Sequence, residues 1–96
     1  MILVREVFQA NYGKGDELVA IFKEARQQWL QGLATRVLAD LSGSFFTVVV
    51  EIEVESLADW ERRIAELFAQ PGSADWFSRM MPLVESGRRE FYTNKA

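Results

Sequence analysis

Three glutamates alternate along the most apolar segment of the sequence, and carboxylates at this spacing are able to bind a metal ion or exchange protons. Glu51, Glu53 and Glu55 are each separated by one residue, so they project from one side of an extended strand. A hard cation needs further oxygen ligands from other segments, and the sequence offers no obvious candidates. We therefore expect these carboxylates to face solvent or to pair across a subunit contact, and we expect no metal site.

The chain contains neither histidine nor cysteine, which excludes several classes of active site. Histidine is the usual general base near neutral pH, the commonest transition-metal ligand and the usual proximal ligand of haem. Hydrolysis by a Ser-His-Asp triad, His-ligated zinc or haem, and thiolate chemistry are thus ruled out. We expect no cofactor, and any catalysis would depend on positioning and on the acidity of the substrate itself.

The strongest ligand-binding candidates lie in the last third of the chain. Trp76 and Met80 belong to a short segment bounded by prolines and a glycine, a composition that suits an adaptable lid with a polarisable lining. Tyr92 would supply a polar group to a ligand. Core packing is the alternative interpretation of Trp76, as it is of Trp29 and Trp60, because all three follow helical apolar spacing.

Two further polar candidates, Arg36 and Glu51, are expected to lie diagonally across a hairpin, close enough to pair. If they converge with Tyr92 on an enclosed cavity, they favour small-molecule binding. If they only pair across a subunit contact, they favour a structural or interaction module without catalysis. The residues alone leave both hypotheses open.

The spacing of the apolar residues predicts the element order β-α-β-β-α-(α)-β. Strands are expected at 2–10, 33–41, 44–54 and 88–94. The first helix is expected to have Asp16 as its N-cap and to end at Gly32. The second helix follows the capping motif that begins at Ser56. A third, shorter helix is expected at 75–84, and a turn at Ser86-Gly87 precedes the last strand.

The hairpin between the second and third strands decides which residues share a face. A turn centred on Ser42-Gly43 places Val37 opposite Val48. The wholly apolar face of the third strand, which the helices should cover, is Phe46, Val48, Val50, Ile52 and Val54. The apolar residues left on the other face are Leu38, Phe45 and Val49. Helices on one side cannot cover that second face, so we expect a homodimer that packs sheet against sheet.

Right-handed crossovers join these elements into a four-stranded antiparallel sheet with helices on one face, a ferredoxin-like βαββαβ fold of the α+β class. The 96 residues suffice for one domain, 1–96. The net charge of −3 and the lack of a basic block argue against nucleic acid and anionic membranes as partners. The sequence has neither a membrane-length apolar run nor a signal-peptide core, and we expect a cytoplasmic protein.

Two segments carry a resemblance to known proteins: the turn Tyr12-Gly13-Lys14 before the first helix, and the stretch from Trp76 to Gly87 that leads into the last strand. With the order of elements, they make the sequence similar to the dimeric α/β-barrel superfamily, in particular to NIPSNAP-like and antibiotic-biosynthesis-monooxygenase-like proteins. The resemblance covers nearly the whole chain. It implies a dimer whose two sheets form a barrel, with a pocket between sheet and helices in some members.

The residue matches limit the chemistry that this resemblance implies. Members that oxidise haem use an Asn in strand one, a Trp in the second half and a nearby His, whereas this chain has Glu6, Phe68 near the second position, and no His. Oxidation of an aromatic compound without a cofactor needs chiefly a tight apolar pocket with a few polar groups, which Tyr92, Arg36 and a Trp would provide. The resemblance thus implies a dimeric barrel protein that binds an apolar or aromatic molecule. Both a monooxygenase-like enzyme without a cofactor and a non-catalytic structural or interaction module are compatible with it, because the superfamily includes oxygenases, haem enzymes, isomerases and proteins of unknown role.

Overall fold

Four antiparallel strands form one sheet, in the order β2-β3-β1-β4, in the computed structural model, which describes residues 1–95. The strands are β1 (Ile2–Ala10), β2 (Thr35–Ala39), β3 (Thr47–Val54) and β4 (Val84–Thr93). The helices are α1 (Gly15–Trp29), α2 (Leu57–Ala69) and α3 (Ser73–Met80), and a 3₁₀ turn, Met81–Leu83, follows α3. This architecture confirms the ferredoxin-like fold. Residue 96, the end of the expected domain, lies outside the described range.

Strand β1 is the centre of the sheet, because it pairs with β3 on one side and with β4 on the other. Alternate residues of each strand face the helices, and this face holds the core. Val4 of β1 and Leu18 of α1 are both 0% exposed. The buried residues that β3 contributes are Val48, Val50, Ile52 and Val54. Phe46, which precedes β3, packs against this core while partly exposed. The apolar face predicted for the third strand is therefore confirmed.

The register between β2 and β3 differs from the predicted one by two residues. Val37 lies opposite Val50, not Val48, because the connection is not a tight turn on Ser42-Gly43. Residues 40–46 form a longer irregular loop, in which Phe46 has a left-handed φ of 59°. A shift of two residues preserves the side-chain alternation, so the residues of the paired segments 35–39 and 48–52 remain on the faces expected for them.

The ends of the first helix also differ from the prediction. The N-cap of α1 is Lys14 rather than Asp16, and no side chain caps the helix there. Asp16 and Glu17 lie in the first turn instead, where their charge complements the helix dipole. The helix ends at Trp29, ahead of Gly32. For α2 the capping prediction holds, since the Ser56 hydroxyl accepts a hydrogen bond from the Asp59 backbone N–H at 3.0 Å.

The predicted turn at Ser86-Gly87 is wrong, because both residues lie inside β4, which begins at Val84. The lack of a side chain at Gly87 leaves room for the Phe8 ring, and the chain does not reverse direction there. A Cβ at this position would lie 3.0 Å from the Phe8 ring on the neighbouring strand. The third helix begins at Ser73, two residues earlier than predicted, and ends before Pro82.

Helix α3 is anchored to α1, unlike the adaptable lid that the sequence suggested. The Arg79 guanidinium donates hydrogen bonds to both oxygens of the Glu24 carboxylate, at 2.8 and 2.9 Å. It also donates to Asp75 at 3.1 Å. The Trp76 indole N–H donates to the Ile21 backbone carbonyl at 2.9 Å. These contacts hold α3 in one position against α1.

We expect Trp60→Ala to lower the free energy of unfolding by about 3–5 kcal/mol, the usual cost of truncating a buried Trp. Trp60 is 7% exposed and belongs to the core. Urea denaturation measures the change. The matched control is Phe68→Ala on the same helix, where the ring is 60% exposed and the loss should be about 0.5 kcal/mol. Equal losses in the two variants would contradict this assignment of the core.

We expect Glu24→Gln to remove a contribution to stability that is present near neutral pH and absent in acid. The hydrogen bond from Arg79 lowers the pKa of Glu24 below its ordinary value of 4.5, so the folded state binds this proton less readily than the unfolded chain. The contribution is complete above 4.5 and is lost as the pH falls through the folded-state value.

Denaturation midpoints measured over an acid pH series test this expectation. Wild type and Glu24→Gln should differ near neutrality and converge in acid. Arg79→Gln removes the partner of Glu24, so its denaturation midpoint should also lie below that of the wild type near neutrality and approach it in acid. A difference between wild type and Glu24→Gln that persists unchanged in acid would show that the ion pair is not its cause.

Candidate functional site

A cavity of about 290 Å³ lies between the sheet and the three helices. Residues of β1, β3 and β4 form its floor, and the second half of α1 forms its walls with α2 and α3. The aromatic residues that line it are Phe8, Phe22, Trp29, Trp60, Phe68, Trp76 and Phe77. They include all three tryptophans of the sequence. A largely apolar cavity with a few polar groups is the usual form of a small-molecule site.

Two of the predicted ligand-binding residues, Trp76 and Met80, lie together in the wall of this cavity. Trp76 is 5% exposed. Its ring packs edge-on against Trp29, with 6.1 Å between centroids, and lies 5.8 Å from the Phe22 ring. Trp76 is therefore both a packed core residue and part of the cavity wall. Met80 is partly buried beside it, and its flexible thioether can adapt to the shape of a ligand.

Phe68 of α2 and Phe77 of α3 both line the cavity and contact each other. Their rings are stacked, with centroids 5.1 Å apart and an interplanar angle of 18°. Phe77 is partly buried in the core, whereas Phe68 is mostly exposed. A ligand in the cavity would contact these apolar aromatic surfaces.

An ion pair, Glu6 with Arg89, supplies charge to the floor of the cavity. The two residues are direct cross-strand neighbours on β1 and β4, and Arg89 Nε lies 2.8 Å from Glu6 Oε1. The Arg89 guanidinium also lies over the Trp60 ring, 5.2 Å from its centroid, a cation–π arrangement. Both charged residues line the cavity.

The Glu6–Arg89 pair is not among the site residues predicted from the sequence, although a charged residue in the apolar face of β1 could have indicated it. Glu6 occupies a helix-facing position in β1 between Val4 and Phe8. A charge at a core-facing position must be matched by a partner or a ligand. Alternation along β4 places Arg89 on that face and Arg88 on the other, but the register that brings Glu6 opposite Arg89 is not visible from local sequence.

The other three predicted site residues, Arg36, Glu51 and Tyr92, lie on the face of the sheet away from the helices, which we call the open face. Arg36 and Glu51 are direct cross-strand neighbours rather than diagonal ones, and they form an ion pair. Glu51 is 9% exposed and also lies 3.7 Å from Arg5 Nε. The sheet therefore separates these residues from Trp76.

Tyr92 is 46% exposed on the open face, and its hydroxyl donates to Glu90 Oε1 at 2.9 Å. This hydrogen bond raises the pKa of the Tyr92 hydroxyl above its ordinary value. The pKa of the Glu90 carboxyl is lowered, chiefly by its hydrogen bond from Arg88. Tyr92 thus belongs to a polar network on the open face and does not line the cavity.

The three alternating glutamates have different surroundings. Glu51 is buried in ion pairs, Glu53 is partly buried and Glu55 is exposed. Within residues 1–95, no group of three or more acidic side chains is arranged to hold a metal ion. None of the helices in the described range is both long enough and apolar enough to cross a membrane.

No protein-family model and no curated protein matches this sequence. Solved structures do match it closely in shape. A NIPSNAP domain protein from Burkholderia xenovorans superposes with a TM-score of 0.89 at 19% identity, over 100% of this chain and 96% of that one. A NIPSNAP family protein from Agrobacterium tumefaciens gives a TM-score of 0.86 at 18% identity, over 98% and 85% of the two chains.

A more distant match has a described activity. SnoaB, a cofactor-independent oxygenase from Streptomyces nogalater, superposes with a TM-score of 0.73 at 14% identity, over 99% of this chain and 93% of that one. These identities establish a common fold and leave the activity of this chain to be argued from its own residues. The chain has the fold of the NIPSNAP and antibiotic-biosynthesis-monooxygenase proteins, as its sequence predicted.

Proposed function

We propose that this protein binds an apolar or aromatic small molecule in the cavity between its sheet and its helices. The observation that carries the proposal is the cavity itself, about 290 Å³ in volume and walled by aromatic side chains. Protein interiors are normally packed almost without voids. The cavity is close in volume to the roughly 300 Å³ lower end of known ligand pockets, and its aromatic lining distinguishes it from the polar depression on the open face.

The lining indicates the chemical class of the occupant. Aromatic walls favour planar rings, which pack against them edge-to-face or offset. The size of the cavity suits a small fused-ring compound. Met80 lets the wall adjust to its outline.

Oxygenation without a cofactor is the reaction that this arrangement favours, if the occupant is a substrate. SnoaB has the same fold and is described as a cofactor-independent oxygenase. This chain has no histidine or cysteine to supply a strong base or a nucleophile, so the substrate must lose a proton readily. A phenol or an enol does so and then reacts with oxygen, while the apolar walls exclude water.

A homodimer through the open face forms part of the same proposal. Leu38 is 39% exposed on this side, and no helix covers it within the described chain. Of the other two residues expected there, Val49 is already buried, at 8% exposure, and Phe45 lies in the loop before β3, where its ring packs edge-on against Tyr12. A second sheet packed against this face would bury Leu38. Glu51 on this face is already paired with Arg36, which lowers the cost of burying it, whereas the buried Arg5 Nε has no hydrogen-bond partner within the described chain.

A non-catalytic interaction module is the second candidate, and one surface favours it. Tyr12, Leu41 and Phe45 are 82%, 102% and 68% exposed around the loop that precedes β3. The Tyr12 ring packs edge-on against Phe46, with 4.9 Å between centroids. Exposed aromatic clusters of this kind often contact other proteins. In this case the cavity would remain empty in all ligand titrations.

Naphthalene, a small fused-ring probe, should bind saturably in the cavity. All three tryptophans line it, so each indole N–H resonance in the NMR spectrum is a reporter of binding. Ala25→Leu fills part of the cavity from α1 and should weaken binding about tenfold or more, a change of ~1.4 kcal/mol.

The matched control is Ala20→Leu, which adds the same side chain at an exposed position of the same helix. It should leave the affinity for naphthalene unchanged. Absence of saturable shifts in the wild type, or equal affinities in wild type and Ala25→Leu, would reject the cavity as a binding site and favour the interaction module.

Light scattering should report twice the monomer mass of 11.0 kDa at micromolar concentration. Leu38→Asp places an unpaired charge on the open face and should give a folded monomer, because burying that charge in a dimer is unfavourable. The control is Leu57→Asp, an equally drastic change at an exposed position on the helix side, which should remain dimeric. A monomeric wild type would exclude this assembly.

A further inference from the structure

The Glu6–Arg89 pair lines the cavity and has unused hydrogen-bonding capacity, with the Arg89 side chain 46% exposed and the Glu6 side chain 17% exposed. Arg89 binds Glu6 through Nε alone, so its two terminal nitrogens have no partner among residues 1–95. The second oxygen of Glu6 likewise accepts no hydrogen bond within that range. The pair therefore presents free donors beside a free acceptor.

The guanidinium is held in place before any ligand arrives. Glu6 fixes it through one hydrogen bond in the plane of the group, and the Trp60 ring covers one of its faces. Arginine keeps its donors in a planar, rigid arrangement. A preorganised group of this kind loses little freedom when a ligand binds.

The other charged residues of the lining pair with residues of α2 that do not line the cavity. Arg63 donates to the Asp59 carboxylate at 3.1 Å, and Glu66 accepts from Arg62 at 3.2 Å. Within the described chain, Glu6 and Arg89 are therefore the ion pair whose two members both line the cavity.

We infer that the Glu6–Arg89 pair determines the specificity of the cavity and selects a neutral aromatic ligand with a hydroxyl group over the corresponding carboxylate. This inference rests on the proposed function. A hydroxyl group both donates and accepts hydrogen bonds, so it donates to Glu6 and accepts from Arg89. The pair has no net charge, and a ligand carboxylate that approached Arg89 would also meet the carboxylate of Glu6.

The test uses three probes with the same fused rings: naphthalene, 2-naphthol and 2-naphthoate. Each is titrated near neutral pH while the indole N–H resonances report binding. In the wild type, 2-naphthol should bind about tenfold more tightly than naphthalene, the gain from hydrogen bonds to charged groups in a partly buried site. 2-Naphthoate should bind more weakly than 2-naphthol.

Glu6→Gln should reverse the order of the two polar probes. It removes the negative charge and leaves Arg89 unbalanced, so 2-naphthoate should gain about tenfold in affinity and exceed 2-naphthol. Arg89→Gln should abolish the preference for 2-naphthol over naphthalene. The matched control is Arg88→Gln on the adjacent position of β4, which faces the other side and pairs with Glu90. It should preserve the wild-type order.

The outcomes distinguish the role of the Glu6–Arg89 pair from ligand binding in the cavity as such. If none of the three probes binds the wild type, the proposed function fails and the inference fails with it. If naphthalene binds but the three probes have equal affinities, or if Glu6→Gln weakens 2-naphthol and 2-naphthoate alike, the cavity stands as a binding site and this assignment of the pair is wrong. A purely structural pair would give the latter result, because its loss would loosen the cavity for every ligand.

Discussion

The alternation of side chains along β1 divides the whole molecule into two environments. As the central strand, β1 sends Val4 and Phe8 towards the helices and Arg5 and Val7 towards the open face. Because the side-chain period of a strand is two residues, a register shift of one residue would move the core-facing side chains to the open face and the open-face side chains to the core. The helices can cover only one side. The core, the cavity and the exposed apolar residues of the open face all follow from this constraint.

The cavity arises from the way in which the helices share that one side. Trp76 and Arg79 join α3 to α1 by hydrogen bonds to Ile21 and Glu24. Helix α2 packs instead against β3, α3 and, through Trp60, against β4. Large aromatic rings line the gap between the helices without filling it.

Each face of the sheet also carries its own charged pair, and the two were not equally visible in the sequence. Arg36 and Glu51 belong to adjacent strands of one hairpin, so their proximity was predicted from the chain order. Glu6 and Arg89 come from opposite ends of the chain. Their pairing depends on the register of β4 beside β1, which the chain between these two strands does not reveal locally. The sequence therefore suggests Tyr92 as the polar group of the cavity, although alternation places it on the other face.

The sequence by itself determined the types and order of the elements and the residues that each face of the sheet receives, because both depend on local spacing of apolar side chains. It also placed Trp76 and Met80 in the wall of one cavity. The tertiary structure decided the register of Val37 against Val50, since loop length and the conformation of Phe46 set it. It likewise decided that α3 is joined to α1 by hydrogen bonds and that Glu6 forms an ion pair with Arg89. Those outcomes depend on contacts between segments far apart in the chain, for which neighbouring residues carry no signal.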